Sequence, residues 1–342
     1  MIEEDIRNFD KQFSWEPEIK NQGSTFLQIQ GRTLGASVLG MGGSHLGGDL
    51  LNAYDSKLGL VIHSDYGLPI NISTDDLIIA SSYSGNTEEV IDGLNLALEK
   101  GLKVAVLASG GKLLEIAKEK SLPYIQLPAD LQPRMSAGYQ VKALAKVLGQ
   151  EDILEELSRL AQKLNPSEFE ERGRELAEKI GNKIPVVYAS QNNYTLAYTW
   201  KIRFNETAKI PAFYNLFPEA NHNEMSGFIG VDKSEIYPLE NSRAISRGSR
   251  VDGISDLSFI FLLLADSEDH PRIQKRMEIF SKLFTDKGFS VEQTALTGEG
   301  RFHRLFSNLL LADWTSYYLA KQKGIDPEQI PLVEEFKRLM NG

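Results

Sequence analysis

Short runs of β-branched and aliphatic residues alternate with longer amphipathic stretches along most of the chain, and this alternation restricts the folds open to it. In the first half the apolar runs are Ala36–Gly40, Leu60–His63, Asp76–Ser81, Lys103–Ala108 and Tyr124–Leu127. Between them lie helical stretches such as Glu88–Lys100, in which Val90, Leu94 and Leu98 recur every fourth residue. A second series contains Pro185–Ser190, Ala212–Leu216, Leu257–Ala265 and Val291–Ala295. Strands that alternate with helices in this way predict an α/β fold of doubly wound parallel sheets with helices on both faces. The two series read as one architecture used twice, without a residue-level repeat.

The predicted junction is the charged helical stretch from Glu151 to Lys183, broken at Pro166 and Gly181. That places the domains at 1–150 and 151–342. The second closes with a long helix ending at Gly324 and a short one over Val333–Leu339. A length of 342 residues suits two such domains.

Composition narrows the ligand classes. With 37 basic and 47 acidic residues the formal charge is -10, which argues against a nucleic-acid-binding face. The chain has no cysteine, so disulfides, thiolate zinc sites and a cysteine nucleophile are excluded. "MIEEDIRNFD" has no basic segment followed by an apolar one, and the longest apolar run, Phe259–Ala265, falls far short of the ~20 residues of a membrane span. The expectation is a soluble, cytoplasmic protein.

"DLIIASSYSGNTEEVIDGL" places Ser82, Ser84, Gly85 and Thr87 at the carboxyl end of a predicted strand, just before a helix. Parallel sheets bind ligands at that edge, and the unpaired N–H groups of a helix N-terminus favour an anion. Three spaced hydroxyls with a glycine suit phosphate or sulfate; one hydroxyl alone would suit an N-cap. A second corner, "VLGMGGSHLGGDLL", follows the first strand. It carries His45 where a dinucleotide fingerprint needs its third glycine, and it lacks the Lys-Ser/Thr of a phosphate-binding P-loop. Gly42, Gly43 and Ser44 suit either an open backbone cradle for a polyol or a tight strand-to-helix turn.

Acid–base candidates lie in "KIRFNETAKIPAFYNLFPEANHNEMSGF". Glu206 ends an aromatic helical run, where the negative helix end favours a basic carboxylate, and His222 is framed by two asparagines. Arg134, between Pro133 and a helix start, suits substrate oxygens. Each also fits an ordinary role taken singly: a solvated helical glutamate, a capping histidine, a surface arginine.

In order along the chain, "GMGGS", "SSYSGNTEE", "PRMSAGY", "FNETAK", "PEANHNE" and "EEFKRL" resemble the bifunctional phosphoglucose/phosphomannose isomerases of the SIS (sugar isomerase) superfamily, from about residue 25 to the C-terminus. The resemblance implies two SIS subdomains, a homodimer, and metal-independent interconversion of glucose 6-phosphate, mannose 6-phosphate and fructose 6-phosphate without a cofactor. It also implies that Ser82, Ser84 and Thr87 hold the phosphate, with Gly43 and Ser44 contributing. Glu206 would be the base, His222 the ring-opening residue supplied by the partner subunit, Arg134 the enediolate stabiliser and Lys337 an aid near the ring oxygen.

Two positions depart from the family pattern. His45 follows "GGS" in place of a small residue, and Ile330-Pro331 stands where a small hydroxyl residue is associated with accepting both epimers. A non-catalytic sugar-phosphate sensor is the rival of another class, although the first ~30 residues are too few and too acidic for a DNA-binding appendage. A zinc-dependent isomerase is disfavoured, because the five histidines lack close ligand spacing.

Overall fold

A computed structural model describes residues 1–21, 35–129, 131–231 and 258–340. The chain divides into two compact units. One comprises Met1–Phe169 with Gly298–Ser307, and the other Glu170–Thr297 with Asn308–Gly342.

The first unit is built on a five-stranded sheet, β1 (Ala36–Leu39), β2 (Val61–His63), β3 (Leu77–Ser81), β4 (Lys103–Ala108) and β5 (Tyr124–Gln126), in the order β2-β1-β3-β4-β5. Every pairing is parallel, with Ser37 opposite Ile78 and Ile79 opposite Ala105. β1 and β3 are buried throughout, as expected of central strands covered on both faces. Leu39, Ile78, Ala80, Val90, Leu94, Val106 and Leu113 form a core between the sheet and the Glu88–Glu99 and Gly111–Glu119 helices.

The predicted helical junction is two helices, Glu151–Lys163 and Glu170–Ile180, separated by a 3-10 turn over Pro166–Phe169. Proline and glycine act as punctuation here: Gly181 takes a left-handed φ of 53° just past the second helix. Residues 151–169 group with the first unit, because Ile153, Leu154, Leu157 and Leu160 form a buried apolar face on the first of these helices.

The second unit holds β6 (Ile184–Ser190), β7 (Phe213–Phe217), β8 (Phe259–Ala265) and β9 (Ser290–Ala295), parallel in the order β7-β6-β8-β9. The predicted strand Leu257–Ala265 begins outside the described residues, at Leu257. The core is aromatic: Tyr188, Phe217, Phe261, Phe280 and Phe284 cluster with Val186, Leu263 and Met277, and Phe280 stacks on Phe284 at 3.9 Å. Buried Arg203 pairs with buried Asp313, and Trp200 Nε1 donates to Asn308 Oδ1 at 2.7 Å, tying the Tyr194–Glu206 helix to the Arg301–Gln322 helix. The last helix is Pro331–Met340.

Candidate functional site

β3 ends at Ser81, and the chain then turns through Ser82–Thr87 into the Glu88–Glu99 helix. The serines and threonine gather in one corner. Ser82 Oγ lies 2.7 Å from Thr87 Oγ1 and 3.5 Å from Ser84 Oγ, and accepts the Gly85 N–H at 3.1 Å. Gly85 is required by its backbone: φ is 72°, and a Cβ would fall 1.8 Å from the Gly110 carbonyl oxygen. The N-cap is Thr87, and its side chain makes no capping hydrogen bond. The N-cap side chain is therefore not spent on the first-turn N–H groups, the groups that an anion at a helix start engages.

The first glycine-rich corner is stitched to this one. Ser81 Oγ donates to the Ser44 carbonyl at 2.7 Å, and the Tyr83 N–H donates to Ser44 Oγ at 3.1 Å. Ser44 is buried, so one lone pair of its hydroxyl is occupied in joining the two loops. His45 is buried as well, with Nδ1 2.5 Å from Asp49 Oδ2 one helical turn on.

Arg134 sits in the Pro133–Met135 turn and is 3% exposed. This turn lies against the first corner, for a Cβ on Gly43 would come 3.3 Å from Arg134 Cα. Gly43, Ser44, Ser82, Ser84, Thr87 and Arg134 therefore all belong to one loop cluster at the carboxyl end of the first sheet.

Tyr83, to which the sequence reading gave no role, helps to hold that cluster. Its hydroxyl donates to the Pro128 carbonyl at 2.6 Å and accepts the Leu131 N–H at 3.2 Å, fixing the chain that leads to Arg134. An aromatic ring in the middle of a hydroxyl-rich corner was the available signal.

In the second unit Glu206 is the last residue of the Tyr194–Glu206 helix and is half-buried. The Lys209 ammonium donates to the Glu206 carbonyl, so a cation shares the negative helix end. His222 is exposed and follows the Glu219–Asn221 3-10 turn, its N–H donating to the Glu219 carbonyl at 2.8 Å. The flanking asparagines hold this turn: Asn223 Nδ2 donates to Glu219 Oε1 at 2.7 Å, and Asn221 Oδ1 accepts from Arg276 at 3.2 Å. Glu224 anchors the segment to the sheet by accepting the Tyr188 hydroxyl at 2.8 Å and the Asn215 amide. Burial, and then the neighbouring Glu224 carboxylate, push the Tyr188 phenol well above its usual range.

Glu206 and His222 are not brought together within the unit. The helix after β6 runs back across the sheet, leaving Glu206 before the start of β7, whereas His222 follows the end of β7. The five residues of β7 span about 16 Å at ~3.3 Å each. Lys337 lies on the Pro331–Met340 helix, every residue of which is exposed.

Among the described residues no group of three or more His, Asp or Glu is placed to hold a metal ion, and no helix is long and apolar enough to cross a membrane.

Comparison with known proteins gives concordant matches. Residues 169–340 match the model of the bacterial phospho-glucose isomerase C-terminal SIS domain. A bifunctional phosphoglucose/phosphomannose isomerase of Aquifex aeolicus is 32% identical over 344 residues, covering 97% of this chain and 96% of that protein. One of the same description from Caldicellulosiruptor bescii is 33% identical over 317 residues, covering 88% and 87%. Among solved structures, tagatose-6-phosphate ketose/aldose isomerase from Escherichia coli shares the fold with a TM-score of 0.67 at 15% identity, covering 95% of this chain and 94% of that one.

Proposed function

This chain belongs to the bifunctional phosphoglucose/phosphomannose isomerase family, and from that premise we propose that it interconverts glucose 6-phosphate, mannose 6-phosphate and fructose 6-phosphate. The observation that carries the substrate class is the cluster of Ser82, Ser84 and Thr87 around a helix start whose N-cap side chain leaves the first-turn N–H groups uncapped. A phosphate dianion satisfies those donors and the helix dipole together. The first unit anchors the sugar phosphate, with Gly43 and Ser44 completing the cradle.

The reaction then proceeds through a cis-enediolate. His222 and Lys337 move the proton that opens the ring. Glu206 takes the proton from C2 and returns it to C1, while a proton passes from the oxygen on C2 to the oxygen on C1. The charge that develops on those oxygens is neutralised by Arg134; one preorganised donor of this kind is typically worth ~3 kcal/mol. Rotation about the C2–C3 bond presents the other face of the enediolate to the same base, which connects the glucose and mannose configurations.

The assembly proposed is a homodimer in which the partner subunit supplies His222. The topology of the second unit supports this reading, since Glu206 and His222 of one chain lie beyond opposite ends of β7. That separation is accounted for when each site draws its histidine from the other subunit.

The test is a coupled assay of chelator-treated protein with glucose 6-phosphate and with mannose 6-phosphate, reading the fructose 6-phosphate formed. Formation from both is expected. Stabilisation by these ligands with no isomer exchange would make the protein a sugar-phosphate binder and overturn the proposal.

A further inference from the structure

We propose that Gln12 is a positioning residue for this reaction: from the N-terminal segment it fixes the turn that carries Arg134. The inference rests on the reading above, in which Arg134 neutralises the enediolate.

The N-terminal segment is held by its apolar side chains. Phe9 and Phe13 in the Phe9–Ser14 turn are fully buried and pack on Phe306 with ring centroids 5.9 and 4.7 Å away. Between them Gln12, only 2% exposed, reaches the residues that follow Arg134. Its Nε2 donates to the Met135 carbonyl at 2.8 Å, while Oε1 accepts the Gly138 N–H at 3.0 Å and the Tyr139 N–H at 3.3 Å. One amide thus spans the residue adjoining Arg134 and the first turn of the Ala137–Val147 helix.

That helix depends on help from outside. Ser136 occupies the N-cap position, but its hydroxyl makes no capping bond; it donates back to the Pro133 carbonyl at 2.8 Å and accepts from Gln140 at 2.7 Å. Gln12 supplies the acceptor that the N-cap residue withholds. A second tie holds the segment in place: the buried Lys142 ammonium donates to the Phe13 carbonyl at 2.7 Å, Ser158 Oγ at 2.9 Å and Glu16 Oε1 at 3.1 Å. The geometry separates the two roles. Lys142 fastens the segment to the helices, and Gln12 fastens the segment to the arginine's own turn.

Two phosphate-anchored ligands distinguish positioning from general stability. Arabinonate 5-phosphate carries a carboxylate where the enediolate charge develops, whereas sorbitol 6-phosphate is neutral there. In the Gln12→Ala protein, affinity for the aldonate is expected to fall roughly tenfold to a hundredfold, the range for losing a well-placed hydrogen bond to a charged group. Affinity for sorbitol 6-phosphate stays near wild type, and kcat falls while KM changes little. Gln12→Glu keeps an acceptor for Gly138 and Tyr139, loses the donor to Met135, and should be intermediate. Lys142→Met lowers the melting temperature without changing the ratio of the two affinities.

Equal loss of both ligands, or wild-type aldonate binding in a folded Gln12→Ala protein, overturns the inference. If Gln12→Ala does not fold, the same affinity ratio in Gln12→Glu decides. Arg134→Ala separates this failure from that of the underlying reading: wild-type aldonate binding there removes Arg134 from its proposed role, whereas loss there with no change at Gln12 refutes the positioning role alone.

Discussion

Individual side chains in the first loop cluster divide between holding the loops together and lying open at the surface. Ser44 illustrates the division, because its hydroxyl accepts from Tyr83 while its carbonyl accepts from Ser81. Ser84 is exposed and Thr87 partly so, as their proposed contact with a phosphate oxygen requires. In the second unit Glu206 is half-buried at a helix end, a place suited to a base that meets substrate and is then covered by it. Glu206→Ala is expected to lower kcat at least about a hundredfold, the usual contribution of positioned proton transfer. Affinity for sorbitol 6-phosphate should be unchanged, because the hydroxyls proposed to anchor the phosphate belong to the first unit. Turnover and ligand titration on the same preparation check this; a variant that keeps most of its rate would remove Glu206 from the role of base.

Whole elements are held by a few polar ties between apolar faces. The Leu46–Tyr54 helix ends on Tyr54, whose ring stacks on Phe302 at 3.9 Å and whose hydroxyl donates to Glu156 Oε2 at 2.6 Å. Burial, then the bond to Glu156 and its negative charge, push the Tyr54 phenol up from 10.0 to about 12. The folded protein therefore holds this proton more tightly than the unfolded chain does. The resulting stabilisation is complete below pH 10 and is lost as the pH rises towards about 12. In Tyr54→Phe that contribution is absent, so the stability difference from wild type should shrink across the window. Denaturant unfolding of both proteins at a series of alkaline pH values measures it. Parallel curves would show that the tie between these helices carries no proton linkage.

At the scale of the assembly, the opposed positions of Glu206 and His222 about β7 bear on how a complete site is formed. If each site takes its histidine from the partner subunit, a symmetric dimer carries two shared sites. Two inactive variants should then rescue one another. Glu206→Ala and His222→Ala proteins, mixed and refolded, form heterodimers in which one site has both residues and the other has neither. With random pairing the activity recovered should be on the order of a quarter of wild type. The assay of the mixture, with heterodimers confirmed by differently tagged chains, checks it. Heterodimers without activity would place both residues in one subunit.

The elements themselves were legible in the order of residues, because periodicity and punctuation act locally. The run Lys103–Ala108 is a strand with the predicted bounds, and Pro166 and Gly181 break the junction as expected. Gly85 and its hydroxyl neighbours announced a tight corner before a helix for the same reason: a left-handed turn there needs only adjacent residues. What the order of residues did not reveal was which distant groups hold that corner. Tyr83 reaches Pro128 across 45 positions, and Gln12 reaches Met135 across 123. Such bonds have no period and no spacing, since buried polar groups take whichever partner the packed chain brings near. That the Thr87 side chain makes no capping bond was likewise visible only in the tertiary structure, because it depends on where the hydroxyls point once β3, β4 and the Glu88–Glu99 helix are packed together.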